Sequence, residues 1–324
     1  MNTELLKINL QLFAGNTNVT TDSGMSDEMK TYYSDYLIDT ASAKLVHDQF
    51  GQKHPIPKAG GKIIEFRKYS PLPKSLGVLV EGVTPDGQKL TVSTLTSEVK
   101  QYGGYVELSD ILILTAIDNN LVQATKLIGK QAGATLDTIT REVLNGGTNV
   151  QYAAGEVSSR EALTEEHKLT VDAIKKAVRF LKTQNAEKIG DSYVAIIHPD
   201  VAYDLTNDPA WQGVKDYDPK DWYEGEIGRI AGVRFVETTE AKIFKDGGRA
   251  VYSTLVLADN ASGVTEIEGG GLQHITKQLG SAGTADPLNQ RATVGWKATK
   301  TAERLVEQYM IRIETCSAFD SDAN

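Results

Sequence analysis

Apolar side chains recur at Met29, Tyr33, Tyr36, Leu37, Ala41, Leu45 and Val46, close to a 3.6-residue period. This predicts an amphipathic helix that Ser26 or Asp27 caps and that Phe50-Gly51 closes. Pro55 and Pro57 forbid its continuation. Residues 1–25 lack any helical period and are rich in Asn and Thr, the pattern of an extended arm. From residue 62 to 69 the period changes to two: Ile64 and Phe66 alternate with Glu65 and Arg67, predicting a strand. A turn-rich stretch with Gly77, Gly82 and Pro85-Asp86-Gly87 leads to a second β-prone run at 89–99. Residues 61–102 therefore form a long two-stranded excursion, too poor in apolar side chains to be stable except against something else.

The longest helical pattern spans 118–145, with Leu121, Thr125, Ile128, Ala132, Leu136, Ile139 and Val143 stepping by three or four before Asn145-Gly146-Gly147 stops it. At 1.5 Å per residue this is a rod of roughly 40 Å. Ala124, Gly129, Ala132, Gly133 and Ala134 along it allow another backbone to come close. Thr170 caps a second amphipathic helix carrying Ile174, Ala177, Val178 and Leu181. Strands are expected at 193–197, 232–237, 250–258, 264–268, 294–296 and 305–315, a short helix at 200–207, and loop over 269–289.

Composition narrows the classes. With 324 residues the chain has room for about two domains. A net charge of -9 argues against nucleic-acid binding through bulk electrostatics. The apolar runs at 111–114 and 251–258 fall far short of the roughly 20 residues a membrane span needs. Residues 1–15, with one Lys and a broken apolar run, do not read as a signal peptide. The charge is uneven: residues 62–74 hold Lys62, Arg67, Lys68 and Lys74 against Glu65 alone, whereas 191–290 carries 16 acids against 8 Lys or Arg. A basic arm and an acidic block in one chain suit pairing between copies, and Lys62, Arg67, Lys68 and Lys74 are the candidate inter-subunit contacts.

Candidate chemistry is thin. No HExxH, phosphate loop, GxGxxG after a strand or GxSxG elbow occurs. His198-Pro199-Asp200 at a strand end is the most site-like triplet, and a hydrolase or metal-dependent enzyme using His198 and Asp200 is the competing hypothesis. No second His stands at ligand spacing, and Pro199-Asp200 is equally a helix start. Asp216, Asp218 and Asp221 resemble a calcium loop that lacks its Gly and closing Glu. Cys316 is single and expected to be inert. No catalytic residue, cofactor or dedicated metal site is assigned.

A set of short strings runs the length of the chain: Asn9-Leu10-Gln11-Leu12-Phe13-Ala14, Phe50-Gly51-Gln52-Lys53, Pro55-Ile56-Pro57-Lys58, Phe66-Arg67-Lys68-Tyr69 and Tyr102-Gly103-Gly104-Tyr105-Val106. It continues with Gly146-Gly147-Thr148-Asn149-Val150, His198-Pro199-Asp200, Gly232-Val233-Arg234-Phe235 and Asp286-Pro287-Leu288-Asn289-Gln290. In order and coverage these resemble the tailed-bacteriophage major capsid proteins of the Hong Kong ninety-seven type, and within them the branch of the phage N-four coat protein. The resemblance implies an α+β fold with an N-terminal arm (1–25), an N-terminal helix and linker (26–60), an extended β-hairpin loop (61–102), a peripheral domain (103–189 and 290–324) with a spine helix at about 118–145, and an axial domain (190–289). It implies hexamers and pentamers of an icosahedral shell around double-stranded DNA, without sequence-specific DNA binding. Its other partners would be scaffold, portal and decoration proteins, its place the virion, and its site of assembly the host cytoplasm.

Overall fold

The computed structural model describes residues 45–324 apart from 70–71, 79–80, 83, 85, 116–119, 156, 216–227, 282 and 284–285. The expected arm at 1–25, the first helix up to residue 44, and Asp216, Asp218 and Asp221 lie outside the described residues, as does the side chain of Lys68. In chain order the elements are β1 (Gln52–Lys53), β2 (Ile63–Tyr69), β3 (Val92–Glu98), β4 (Lys100–Ser109), α1 (Asp110–Thr115), α2 (Asn120–Asn145), β5 (Val150–Tyr152), α3 (Val171–Thr183), β6 (Tyr193–Ile197), α4 (Pro199–Thr206) and α5 (Pro209–Lys215). There follow β7 (Arg229–Ile230), β8 (Val233–Glu237), β9 (Ile243–Asp246), β10 (Arg249–Leu257), β11 (Ser262–Thr265), β12 (Gln273–Lys277), β13 (Arg291–Arg304) and β14 (Met310–Thr315). The α+β class expected from the sequence is the class observed.

One sheet is organised by β13, which pairs antiparallel with β4, β12 and β11, while β1 adds parallel to β11. Every second residue of β13 points inward: Ala292, Val294, Trp296 and Ala298 are buried, and the last three pack with Ile128, Ala132 and Leu136 of α2. The small residues of this pairing do structural work. A Cβ on Gly104 would stand 2.8 Å from the Gln131 side chain and 3.2 Å from the Trp296 indole, so helix and sheet meet there at glycine distance.

The second sheet has the order β5-β14-β10-β6-β8-β7, with β9 also on β10. Helices α3 and α4 cover one face, over Ala195, Tyr252, Val256, Ile311 and Ile313. Val46, Phe50 and Leu144, at the end of α2, cover the other, over Ile196, Leu255, Leu257 and Met310. Burial on both faces explains why β10 is buried from Ala250 to Leu257 and reads as an apolar run, broken only by Ser253 and Thr254, rather than an alternation. Helix α2 thus starts on the first sheet and ends on the second, and is the element the two cores share.

The strand expected at 305–315 starts only at Met310, after a 3-10 turn at Glu307–Tyr309, the one expected at 264–268 lies at Ser262–Thr265, and two further expectations need correction. The stretch 269–289, expected to be loop, contains β12, a half-buried edge strand whose polar sequence gives little alternation. The strand expected at 294–296 is 14 residues long. Outside Val294 and Trp296 its inward positions are filled by the small Ala292, Ala298 and Ala302 and by Lys300, which give a weak strand signal. Residues 105–114 divide between strand and helix at Ser109–Asp110.

Candidate functional site

The ribbon β2–β3 pairs from Ile63↔Glu98 to Tyr69↔Val92. Its base is anchored. Phe66 lies against the Gly263 backbone, edge-on to His54 at 5.7 Å. The Ser97 hydroxyl lies 2.8 Å from that of Thr301 and donates to Glu303 at 3.1 Å. Beyond the base the ribbon leaves the body: Leu72 and Leu90 are exposed, Leu76 is 84% exposed and Val78 93%. These side chains find no core among the described residues, so an arrangement that keeps them in water carries a hydrophobic cost that another surface could remove.

The candidate contacts Lys62, Arg67 and Lys74 all stand exposed on this excursion, Lys62 before β2 and Lys74 beyond it. Arg67 meets Glu65 at 3.6 Å on the same face of β2. They line the ribbon and do not converge on a point, an arrangement suited to contact along a length and not to holding a small ligand. A second exposed apolar surface was not signalled: Ile111, Leu112, Ile113 and Leu114 of the short helix α1 are all exposed, and Tyr105 on β4 is 72% exposed. Four apolar residues in succession were the signal available, visible only as a run too short for a membrane.

His198 and Asp200 sit where the sequence puts them, at the end of β6 and the start of α4, but in structural roles. The His198 ring nitrogen Nδ1 accepts from the Asp200 backbone N–H at 3.2 Å and so caps α4. The Asp200 carboxylate accepts from the Tyr252 and Ser321 hydroxyls, each at 2.7 Å, which ties the C-terminal segment to the sheet. Burial pushes the His198 pKa below its usual value against the pull of Asp200. Burial would raise Asp200, but its hydrogen bonds from Tyr252 and Ser321 outweigh that and hold it low. No cluster of metal-ligating side chains forms among the described residues. Cys316 is buried, and burial raises its thiol pKa, which makes it a poor nucleophile.

A buried polar network joins the segment before β1 to the spine. The Lys300 ammonium contacts the Asp48 carboxylate and donates to the Leu136 carbonyl at 2.7 Å. Thr140 donates to the other Asp48 oxygen. His47 meets Asp137 through its backbone N–H at 2.8 Å and its ring Nδ1 at 2.7 Å. Lys300 meets an opposite charge, and the Asp48 and Asp137 carboxylates both accept hydrogen bonds, the condition under which such buried groups are tolerated.

Residues 92–304 match the family model described as phage capsid protein. No curated protein matches the chain. In fold it is similar to the capsid of Ralstonia phage GP4, at 15% identity and a TM-score of 0.68, covering 86% of this chain and 90% of that one. It is also similar to the capsid of cyanophage Pam1, at 14% identity and a TM-score of 0.65, covering 80% and 86%. A third likeness is to a virus-like particle from Pyrococcus furiosus, at 12% identity and a TM-score of 0.50, covering 88% and 99%.

Proposed function

The chain belongs to the phage capsid protein family, and from that premise we propose how its copies join. It is a major capsid protein of the virion, a structural subunit of the shell and not an enzyme, with the tailed-phage capsid fold. In our reading it is of the Hong Kong ninety-seven type, in the branch of the phage N-four coat protein, and its capsomers are hexamers and pentamers of an icosahedral shell around double-stranded DNA. The excursion at 61–102 lies across the next copy in the ring, with Lys62, Arg67, Lys68 and Lys74 setting register against that copy's acidic surface. The regions 103–189 with 290–324 and 190–289 act as peripheral and axial domains. Assembly takes place in the host cytoplasm, with scaffold, portal and decoration proteins as further partners.

The observation that carries the seam is the exposure of Leu76 and Val78 on a ribbon with no core of its own. Head-to-tail contacts of this kind close into rings by symmetry, and many weak copies of one contact hold a shell. Deleting residues 70–90 tests it. The expected product is a folded chain that stays monomeric in size-exclusion chromatography and forms no shells in negative-stain microscopy. Shells assembled from the deleted chain would remove the ribbon from the seam.

A further inference from the structure

The net charge of -9 conceals a local exception on α3. That helix buries Val171, Ala173, Ile174, Ala177, Val178 and Leu181 against the second sheet. The same periodicity turns Lys175, Arg179 and Lys182 outward, at i, i+4 and i+7, and all three are exposed. Their neighbour Lys176 is committed elsewhere, to Asp172 at 2.8 Å and the Ala154 carbonyl at 2.7 Å. Lys175, Arg179 and Lys182 enter no ion pair among the described residues. With Val178, Thr183 and the turn residue Ala231 they line an open groove of about 570 Å³ that, among the described residues, no carboxylate borders.

We propose that this stripe on α3 is a contact for the phosphate backbone of duplex DNA, which places that face of the second sheet on the inner side of the shell. The inference rests on the shell reading above. From residue 175 to 182 the helix advances about 10.5 Å, at 1.5 Å per residue. One DNA strand presents a phosphate every 3.4 Å or so of axis, so the stripe faces about three of them. Among the described residues the groove offers no aromatic anchor, and its one large apolar member, Val178, is already buried. Protein partners are held by a desolvated apolar centre, whereas phosphates need only placed cations. Three cations per copy within an otherwise acidic chain hold the duplex weakly and without regard to sequence.

The test is fluorescence anisotropy of a short labelled duplex with the full chain, between about 50 and 200 mM salt. Three phosphate contacts give a log–log slope of about -2.7, a fall in affinity of about 40-fold over that range. The variant K175Q/R179Q/K182Q should lose this salt-dependent binding. The single change Arg179→Gln should reduce the slope by about one. Replacing Lys175 and Lys182 by Arg should preserve it. Because the three side chains are exposed, circular dichroism and melting of the variants should match the parent. DNA binding by the triple variant equal to that of the parent overturns the proposal. So does a triple variant that binds DNA normally but no longer assembles, which would assign the stripe to an acidic surface of another copy. Assembly of the parent chain is scored separately by microscopy, so a failure of the shell reading is not mistaken for a failure of the stripe.

Discussion

His198 illustrates how the same residue can look like chemistry in a string and act as architecture in a fold. Its ring caps α4 only while Nδ1 is unprotonated, and burial favours that neutral form. Burial lowers the pKa of His274 in the same direction. The sign follows from linkage: a group whose pKa is depressed on folding contributes stability that is complete above its unfolded pKa. For these two residues that value is 6.5, and the contribution is lost as pH falls through it towards the folded pKa. Chemical denaturation across pH 5–8 should therefore show stability declining on the acid side, as expected for buried histidines near their ordinary pKa of about 6.5. In His198→Asn, which keeps a capping acceptor, that decline should become shallower. An unchanged acid limb would remove His198 from the explanation. Asp200, held low by its hydroxyl donors, adds its own loss only below about its unfolded value of 3.8.

At the scale of elements, the informative feature is Lys300, an inward lysine on a strand whose other inward residues are apolar. It fastens three elements that the chain order separates: the segment carrying Asp48, the helix α2 through the Leu136 carbonyl, and β13 itself. Burial lowers the Lys300 pKa while Asp48 opposes the shift. Lys300→Met leaves the Asp48 carboxylate half-enclosed without its cation and should cost about 3–5 kcal/mol, read from the denaturant midpoint. The double change Asp48→Leu with Lys300→Met should cost clearly less than the two single changes summed, because no unpaired charge remains. Additive losses would mean the contact is not a coupled pair. The same scale explains the glycines of β4 and β13. At Gly295 a Cβ would stand 2.9 Å from that of Tyr105 and 3.0 Å from the Gly104 carbonyl, so the strands approach where side chains are absent.

At the scale of the whole molecule, two cores share one spine helix, and a ribbon extends from them with its apolar side chains in water. Its stability within one copy comes from Phe66, Ser97 and Val99 at the base, not from the tip. Substituting Leu76→Asp and Val78→Asp together should therefore leave the melting behaviour of the monomer within about 0.5 kcal/mol of the parent. The same change should abolish shells in negative-stain images, because an acidic tip cannot be desolvated against a neighbour. Normal shells from this variant would show that the tip contributes nothing to the seam.

Periodicity was enough to locate the long helix, the capped helix after Thr170, the buried strand at 193–197 and both strands of the ribbon, because each writes its burial into its own spacing. The order of short strings along the chain also carried the family. What spacing could not convey was any property created by residues far apart. The inward aim of Lys300 depends on Asp48, 252 positions away, and the full length of β13 depends on the partners that accept its alanines. The structural role of His198 needed Tyr252 and Ser321 beside Asp200, and the exposure of α1 needed the absence of a covering element among the described residues. Local pattern records which face of an element avoids water; only the assembled fold decides which charges meet inside it and which apolar faces are left for another copy.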